Sequence, residues 1–118
     1  MIEVTLITYL TGKTSAGSNV FAERPNEIPS EYILIDKTGS SVDNKIMTST
    51  IAIQSVSDSM QNGSMFGAMS LNEEVKDAME DLIVRDDIVK VRLTSDYNYT
   101  DDSTKEYRYQ AVYEITHY

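Results

Sequence analysis

The sequence predicts one α+β domain: an antiparallel sheet of about four to five strands with one main helix packed on one face. Three patterns carry this reading. Residues 105–116 alternate, with Tyr107, Tyr109, Ala111, Tyr113 and Ile115 on one side. Residues 65–83 repeat apolar side chains at steps of three and four. Residues 32–36 and 45–56 are neighbouring strand candidates separated by a short polar stretch, the arrangement of an antiparallel pair.

Taken in chain order, residues 2–11 admit two readings. Ile2, Val4, Leu6 and Leu10 fit a strand, whereas Ile2, Leu6, Ile7 and Leu10 fit one face of a helix, and Gly12 would end either. Residues 20–24 form a short extended segment stopped by Pro25, and Pro25 and Pro29 punctuate a connection without helix potential. Residues 32–36 are apolar on both faces and read as an inner strand. Residues 38–44 read as a Gly/Ser loop. Residues 45–56 then alternate, with Met47, Ile51 and Ile53 on one face and Thr48, Thr50 and Gln54 on the other.

In the helix over 65–83, Ala68, Leu71, Val75, Ala78, Met79 and Leu82 form the apolar stripe. Ser70 and Glu73 have the spacing of a capping box, so Ser70 is an alternative start. Residues 88–95 form a strand with Val89, Val91 and Leu93 inward and Lys90, Arg92 and Thr94 outward. The last strand sets Glu106, Arg108, Gln110 and Glu114 opposite its tyrosines, with Val112 as the exception. Residues 96–104 join the last two strands as a long polar loop.

The 118 residues suit one domain, 1–118, large enough to bury a core without disulfides or metal. There is no cysteine, which removes disulfides, thiol nucleophiles and thiolate metal sites. The N-terminus has no basic leader pattern, and no apolar run reaches the length of a membrane helix, so a soluble, unprocessed chain with no membrane partner is expected. Ten basic against 19 acidic residues give a net charge of −9, which argues against a duplex-DNA binder. It fits an ordinary acidic cytoplasmic protein, the preferred reading, and it permits a deliberate negative surface, either a mimic of DNA or one side of a charged channel.

Catalytic patterns are missing. The one histidine, His117, is penultimate and is expected in solvent. Asp96, Asn98, Thr100, Asp101 and Asp102 faintly resemble a calcium loop but lack its glycine and its closing glutamate. Glu73-Glu74 and Asp86-Asp87 are adjacent carboxylates that point apart on a regular element. Gly63 and Gly67 are not followed by the lysine of a phosphate loop. We expect no enzyme, no cofactor and no metal. Tyrosine stands out instead, because six of the eight lie in residues 97–118. A sheet core accounts for those that alternate on the last strand. It does not account for Tyr97 and Tyr99 in a polar loop, which read as a contact arm. Met60, Met65 and Met69 beside Phe66 suit an adaptable contact surface, but the preferred reading is a helix end packed on the sheet.

The order of several stretches resembles the tail-terminator, or tail-completion, proteins of long-tailed phages of Gram-positive hosts. These are Glu-Arg-Pro-Asn-Glu-Ile-Pro at 23–29, Tyr-Ile-Leu-Ile-Asp-Lys-Thr-Gly at 32–39, Thr-Ile-Ala-Ile-Gln-Ser at 50–55 and Leu-Asn-Glu-Glu-Val-Lys at 71–76. Ser-Asp-Tyr-Asn-Tyr-Thr-Asp at 95–101 and Tyr-Arg-Tyr-Gln-Ala-Val-Tyr-Glu-Ile at 107–115 complete the set. The resemblance implies a subunit of a hexameric ring that caps the tail tube and meets the head connector, in a virion assembled in the host cytoplasm. DNA would pass through the ring without specific binding. It also implies a helix over 2–11. One departure from the family pattern is the run Gln61-Asn-Gly-Ser64 with Gly67, where the family runs directly into a helix. Two helical glycines cost roughly 2 kcal/mol relative to alanine.

On this reading Tyr97, Tyr99 and Arg108 are candidate contact residues, Arg108 through a neighbour's carboxylate. The 38–44 stretch, with Gly39, Ser40 and Asp43, is a second candidate contact. Free edges of an antiparallel sheet can pair between subunits and close a ring. Alternatives are another head–tail joining component of the neck and an acidic DNA mimic that inhibits a host nuclease.

Overall fold

The computed structural model describes residues 2–43, 45–58, 63–100 and 106–118. Helix α1 (Ile2–Leu10) precedes the short strand β1 (Val20–Phe21) and the long strands β2 (Glu31–Asp43) and β3 (Ile46–Asp58). Helix α2 (Met65–Glu80) leads through a 3-10 turn (Leu82–Val84) to β4 (Ile88–Asn98) and β5 (Glu106–His117). The five strands form one sheet in the order β1-β2-β3-β5-β4. β1 runs parallel to β2, and every other neighbouring pair is antiparallel.

Strand alternation builds the core. Ile33 and Ile35 of β2, Ile51 and Ile53 of β3, and Ala111, Tyr113 and Ile115 of β5 share one sheet face. Leu71, Val75 and Met79 of α2, Leu82, and Ile2, Leu6 and Leu10 of α1 pack on that face in one cluster. Each large aliphatic side chain buried there contributes roughly 1.5–3 kcal/mol. Both helices therefore cover the same side, and among the described residues the opposite side of the sheet carries no helix.

Residues 2–10 form a helix. Ile2, Leu6 and Leu10 recur every four residues and are buried, while Val4, a member of the strand pattern, is 55% exposed. The Tyr9 hydroxyl donates to the Ala78 carbonyl at 2.6 Å, tying α1 to the end of α2. Gly12 follows at φ +80, the left-handed conformation that ends helices and favours glycine.

Helix α2 starts at Met65. The Ser64 hydroxyl accepts from the Gly67 amide at 3.0 Å and caps the first turn, so Ser70 lies inside the helix. The two glycines that depart from the family pattern have packing roles here. A Cβ on Gly63 would meet the Asp58 carbonyl oxygen at 2.5 Å, and one on Gly67 would meet Ser57 Oγ at 2.9 Å. Only Gly67 lies inside the helix, so the chain gives up helix propensity at one position, not two, for a close seat of the helix start on β3. At the other end α2 stops at Glu80, short of the expected Ile83, and Leu82 is buried from the 3-10 turn.

The expected loop over 38–44 is strand instead. β2 continues to Asp43, pairing with β3 through a bulge between Lys37 and Gly39, and Lys45 turns the hairpin at φ 69. Asn44 lies outside the described residues. Backbone pairing holds this segment while both of its faces stay exposed, so it has no apolar alternation for a sequence reading to detect. The expected loop over 96–104 is shortened in the same way. β4 runs to Asn98, and the Tyr99 amide donates to the Arg108 carbonyl at 2.8 Å. Residues 101–105, including Asp101, Asp102 and the expected first strand residue Lys105, lie outside the described residues, as does Met60.

Two further expectations are corrected. Val89 and Leu93 are each 43% exposed, because β4 is the edge strand and only Ile88 and Val91 reach the core. His117 is buried, with a ring nitrogen 2.9 Å from Ser49 Oγ, because β5 pairs with β3 to its very end.

Candidate assembly interface

On the helix-free face, β5 brings Glu106 beside Tyr32 of β2, and the connection after β1 brings Arg24 over both. Glu106 is buried although it belongs to the polar set of its strand. One carboxylate oxygen lies 2.5 Å from Arg24 Nη2. The other accepts from the Tyr32 hydroxyl and lies 3.4 Å from Arg108 Nη2. Burial acts to raise the Glu106 pKa, but the Tyr32 hydroxyl and the two guanidinium groups outweigh it and hold the carboxyl below the usual glutamate value. The Tyr32 hydroxyl is pushed up to about 12 by burial and by its bond to Glu106.

A polar belt crosses the same face. Gln54 Nε2 donates to Gln110 Oε1 at 2.9 Å, and Gln110 Nε2 donates to the Tyr97 hydroxyl. Tyr97 and Tyr99 sit two residues apart at the end of β4, with rings 6.0 Å apart in an edge-on arrangement. They are 41% and 48% exposed. Strand alternation places Tyr97, Tyr99 and Arg108 on one patch of the helix-free face. The two tyrosines form its open surface. Most of the Arg108 side chain is buried, and its guanidinium already faces Glu106.

Gly39, Ser40 and Asp43 lie elsewhere. Gly39 is level with Glu114 through Thr50, six residues along β5 from Arg108, or roughly 20 Å at strand rise. The two sets of candidate contact residues therefore belong to different ends of the sheet. A third surface, the groove between α2 and β4, was not legible in the sequence, because it depends on β4 being an edge. It encloses about 600 Å³ and is lined by Met79, Ile83, Val89, Val91, Leu93 and Tyr113, with Glu73, Lys76, Asp77, Glu80 and Lys90 at its margins.

One end of that groove is pinned by charge. Asp96 accepts from Asn72 Nδ2 at 2.8 Å and from Lys76 Nζ at 2.6 Å, and Lys76 also reaches Glu73 at 2.8 Å. Burial raises the Asp96 pKa, yet the bonds from Lys76 and Asn72 prevail and lower it. Asp96 thus fastens β4 to α2. Among the described residues no group of three or more His, Asp or Glu side chains is arranged to hold a metal ion. Nor is any helix among them long and apolar enough to cross a membrane.

No protein-family model and no curated protein matches the sequence. Among solved structures, the chain is similar to one from the virion of a native gene transfer agent (GTA) particle. The TM-score is 0.60 and the sequences are 16% identical, over 95% of this chain and 83% of that one. At that identity the likeness is one of fold.

Proposed function

We propose that this chain is a virion structural protein: a subunit of a ring, six copies in the family it resembles, that caps the tail tube and joins it to the head connector. The observation that carries the reading is the fold shared with a virion component over nearly the full length of this chain. The order of sequence stretches resembling tail terminators supports the finer placement at the head-proximal end of the tail. The physics is association. The exposed surfaces of this domain are strand edges, a half-apolar groove and a tyrosine pair, which suit contacts between proteins. Partners on this reading are further copies of the chain, the tail-tube protein and the connector, with DNA passing through unbound. The net charge of −9 keeps such a passage from holding DNA.

The test is mass in solution by light scattering, from dilute to near-millimolar protein. A concentration-dependent rise to six copies is expected. A monomer across the whole range overturns the ring. Binding to isolated tail tubes rather than to capsid portals separates a terminator from another joining component of the neck.

A further inference from the structure

The sheet leaves two edges open. β4 is the outermost strand on one side, and ten of its eleven residues lack full burial. On the other side β1 covers β2 only at Ile33 and Leu34, so β2 is open from Asp36 to Asp43. Long unpaired edges recruit other strands unless something blunts them. Neither open segment contains proline; bulges at Lys37/Gly39, Ile88/Lys90 and Leu93/Ser95 interrupt them but leave regular runs over 39–43, 90–93 and 95–98.

We propose that these two edges are the two halves of one head-to-tail contact: β4 of one copy pairs with the outer half of β2 in the next. The proposal rests on the ring reading above and specifies the surface that closes the ring. Strand direction favours it. β2, β3, β5 and β4 alternate in direction, so β4 runs opposite to β2. Copies related by rotation about an axis along the strands then meet in antiparallel pairing, helix-covered face beside helix-covered face.

The register supplies complementary chemistry on both faces. Followed across the sheet through Thr116 and Thr48, Lys90 is level with Ser41; through Glu114 and Thr50, Arg92 is level with Gly39. With no shift along the strands, Lys90 of one copy faces Ser41 of the next and is diagonal to Asp43. Arg92 faces Gly39 and is diagonal, across the bulge, to Asp36. Diagonal neighbours of roughly 7–8 Å are within reach of long side chains, and Gly39 and Ser41 leave room for them. All four charges are exposed, and none joins an ion pair among the described residues. On the helix-covered face, Val42, 66% exposed, meets the open side of the groove near Val89.

The charges also select the partner edge. A symmetric β4–β4 pair sets Lys90 and Arg92 against themselves, and a symmetric β2–β2 pair does the same to Asp36 and Asp43. Like charges on paired strands are destabilising. Only the heterologous pair matches opposite signs, and a heterologous contact is the kind that generates a ring.

The experiment is a charge swap in the full chain, read by light scattering at low salt, with circular dichroism to confirm folding. Neither K90E/R92E nor D36K/D43K alone should assemble like the parent; the concentration for half-assembly should rise about tenfold or more. An equimolar mixture should recover assembly, because each variant's reversed edge finds its complement on the other. The chain lacks cysteine, so a second variant, Ser41→Cys with Lys90→Cys, tests proximity directly. Within one chain the two sites are three strand spacings apart, roughly 14 Å, too far for a disulfide. Diamide oxidation should therefore give covalent oligomers only across the proposed contact. Unimpaired single-edge variants, a mixture that does not recover, or a ring that yields no cross-linked dimer would each overturn the edge pairing while leaving the ring reading intact. A parent chain that stays monomeric overturns both.

Discussion

Replacing Glu106 by alanine removes an acceptor shared by three side chains, and the structure indicates the size of the loss. A hydrogen bond to a charged group contributes about 1.5–3 kcal/mol. The fully buried Tyr32 hydroxyl holds the upper part of that range. Arg24 contributes less: its side chain is 56% exposed, and exposed ion pairs are worth under about 1 kcal/mol. Arg108 is the looser contact at 3.4 Å, but without Glu106 its largely buried charge has no carboxylate. Breaking a buried pair by deleting one partner costs about 3–5 kcal/mol, and the half-open Arg24 side puts this case near the lower figure. We expect Glu106→Ala to lose about 3 kcal/mol and Arg24→Ala no more than about 1 kcal/mol. Urea unfolding followed by circular dichroism at neutral pH measures both. The pH dependence has a definite sign. The folded carboxyl titrates below the usual glutamate value, so the unfolded chain takes up the proton first as pH falls. The charge-dependent part of the Glu106 contribution is complete at neutral pH and is lost as pH drops through the folded value, so the gap between variant and parent narrows. A Glu106→Ala variant within about 0.5 kcal/mol of the parent at neutral pH refutes the reasoning. So does an Arg24→Ala variant that is equally damaged.

Three other outcomes follow from the geometry. Ser64→Ala should cost about 1 kcal/mol through the lost cap, and Ser70→Ala less than about 0.5 kcal/mol, both by urea unfolding; the reverse order would move the helix start to Ser70. Gly63→Ala should destabilise by about 1–3 kcal/mol in the same assay, because its Cβ has no room beside the Asp58 backbone. Replacing Tyr97 and Tyr99 together by serine should leave the melting temperature within roughly 5 °C of the parent, since both rings are nearly half exposed. It should suppress assembly in light scattering; a large loss of melting temperature would make the pair core residues instead.

The residues that were readable in the sequence are those whose surroundings repeat at the period of their element. Leu71, Val75 and Met79 repeat on a helix, and Tyr109, Ala111, Tyr113 and Ile115 repeat on a strand; each pattern arises because one face meets the core. The same logic fails where both faces are open. Residues 38–43 and 96–98 are strands held by backbone bonds to β3 and β5, and polar side chains there look like a loop. Val89 and Leu93 alternate as core residues should, yet β4 is an edge strand on which they face the open groove beside α2, and strand order is not written in local alternation.

Composition and period alone determined the fold class, the main helix and the central strands, because burial of one face imposes a regular repeat on the chain. Residues 2–10 sat between the two periods, and packing on β2 and the end of α2 resolved them as helix. Glu106, His117 and Arg24 show the same division. By residue type each belongs in solvent, yet Glu106 and His117 are buried and Arg24 covers Glu106, because strands far apart in sequence bring Tyr32 and Ser49 to meet them. The open edges of β2 and β4 likewise exist only in the assembled sheet. Contacts of that kind join residues separated by dozens of positions, and no local period records them.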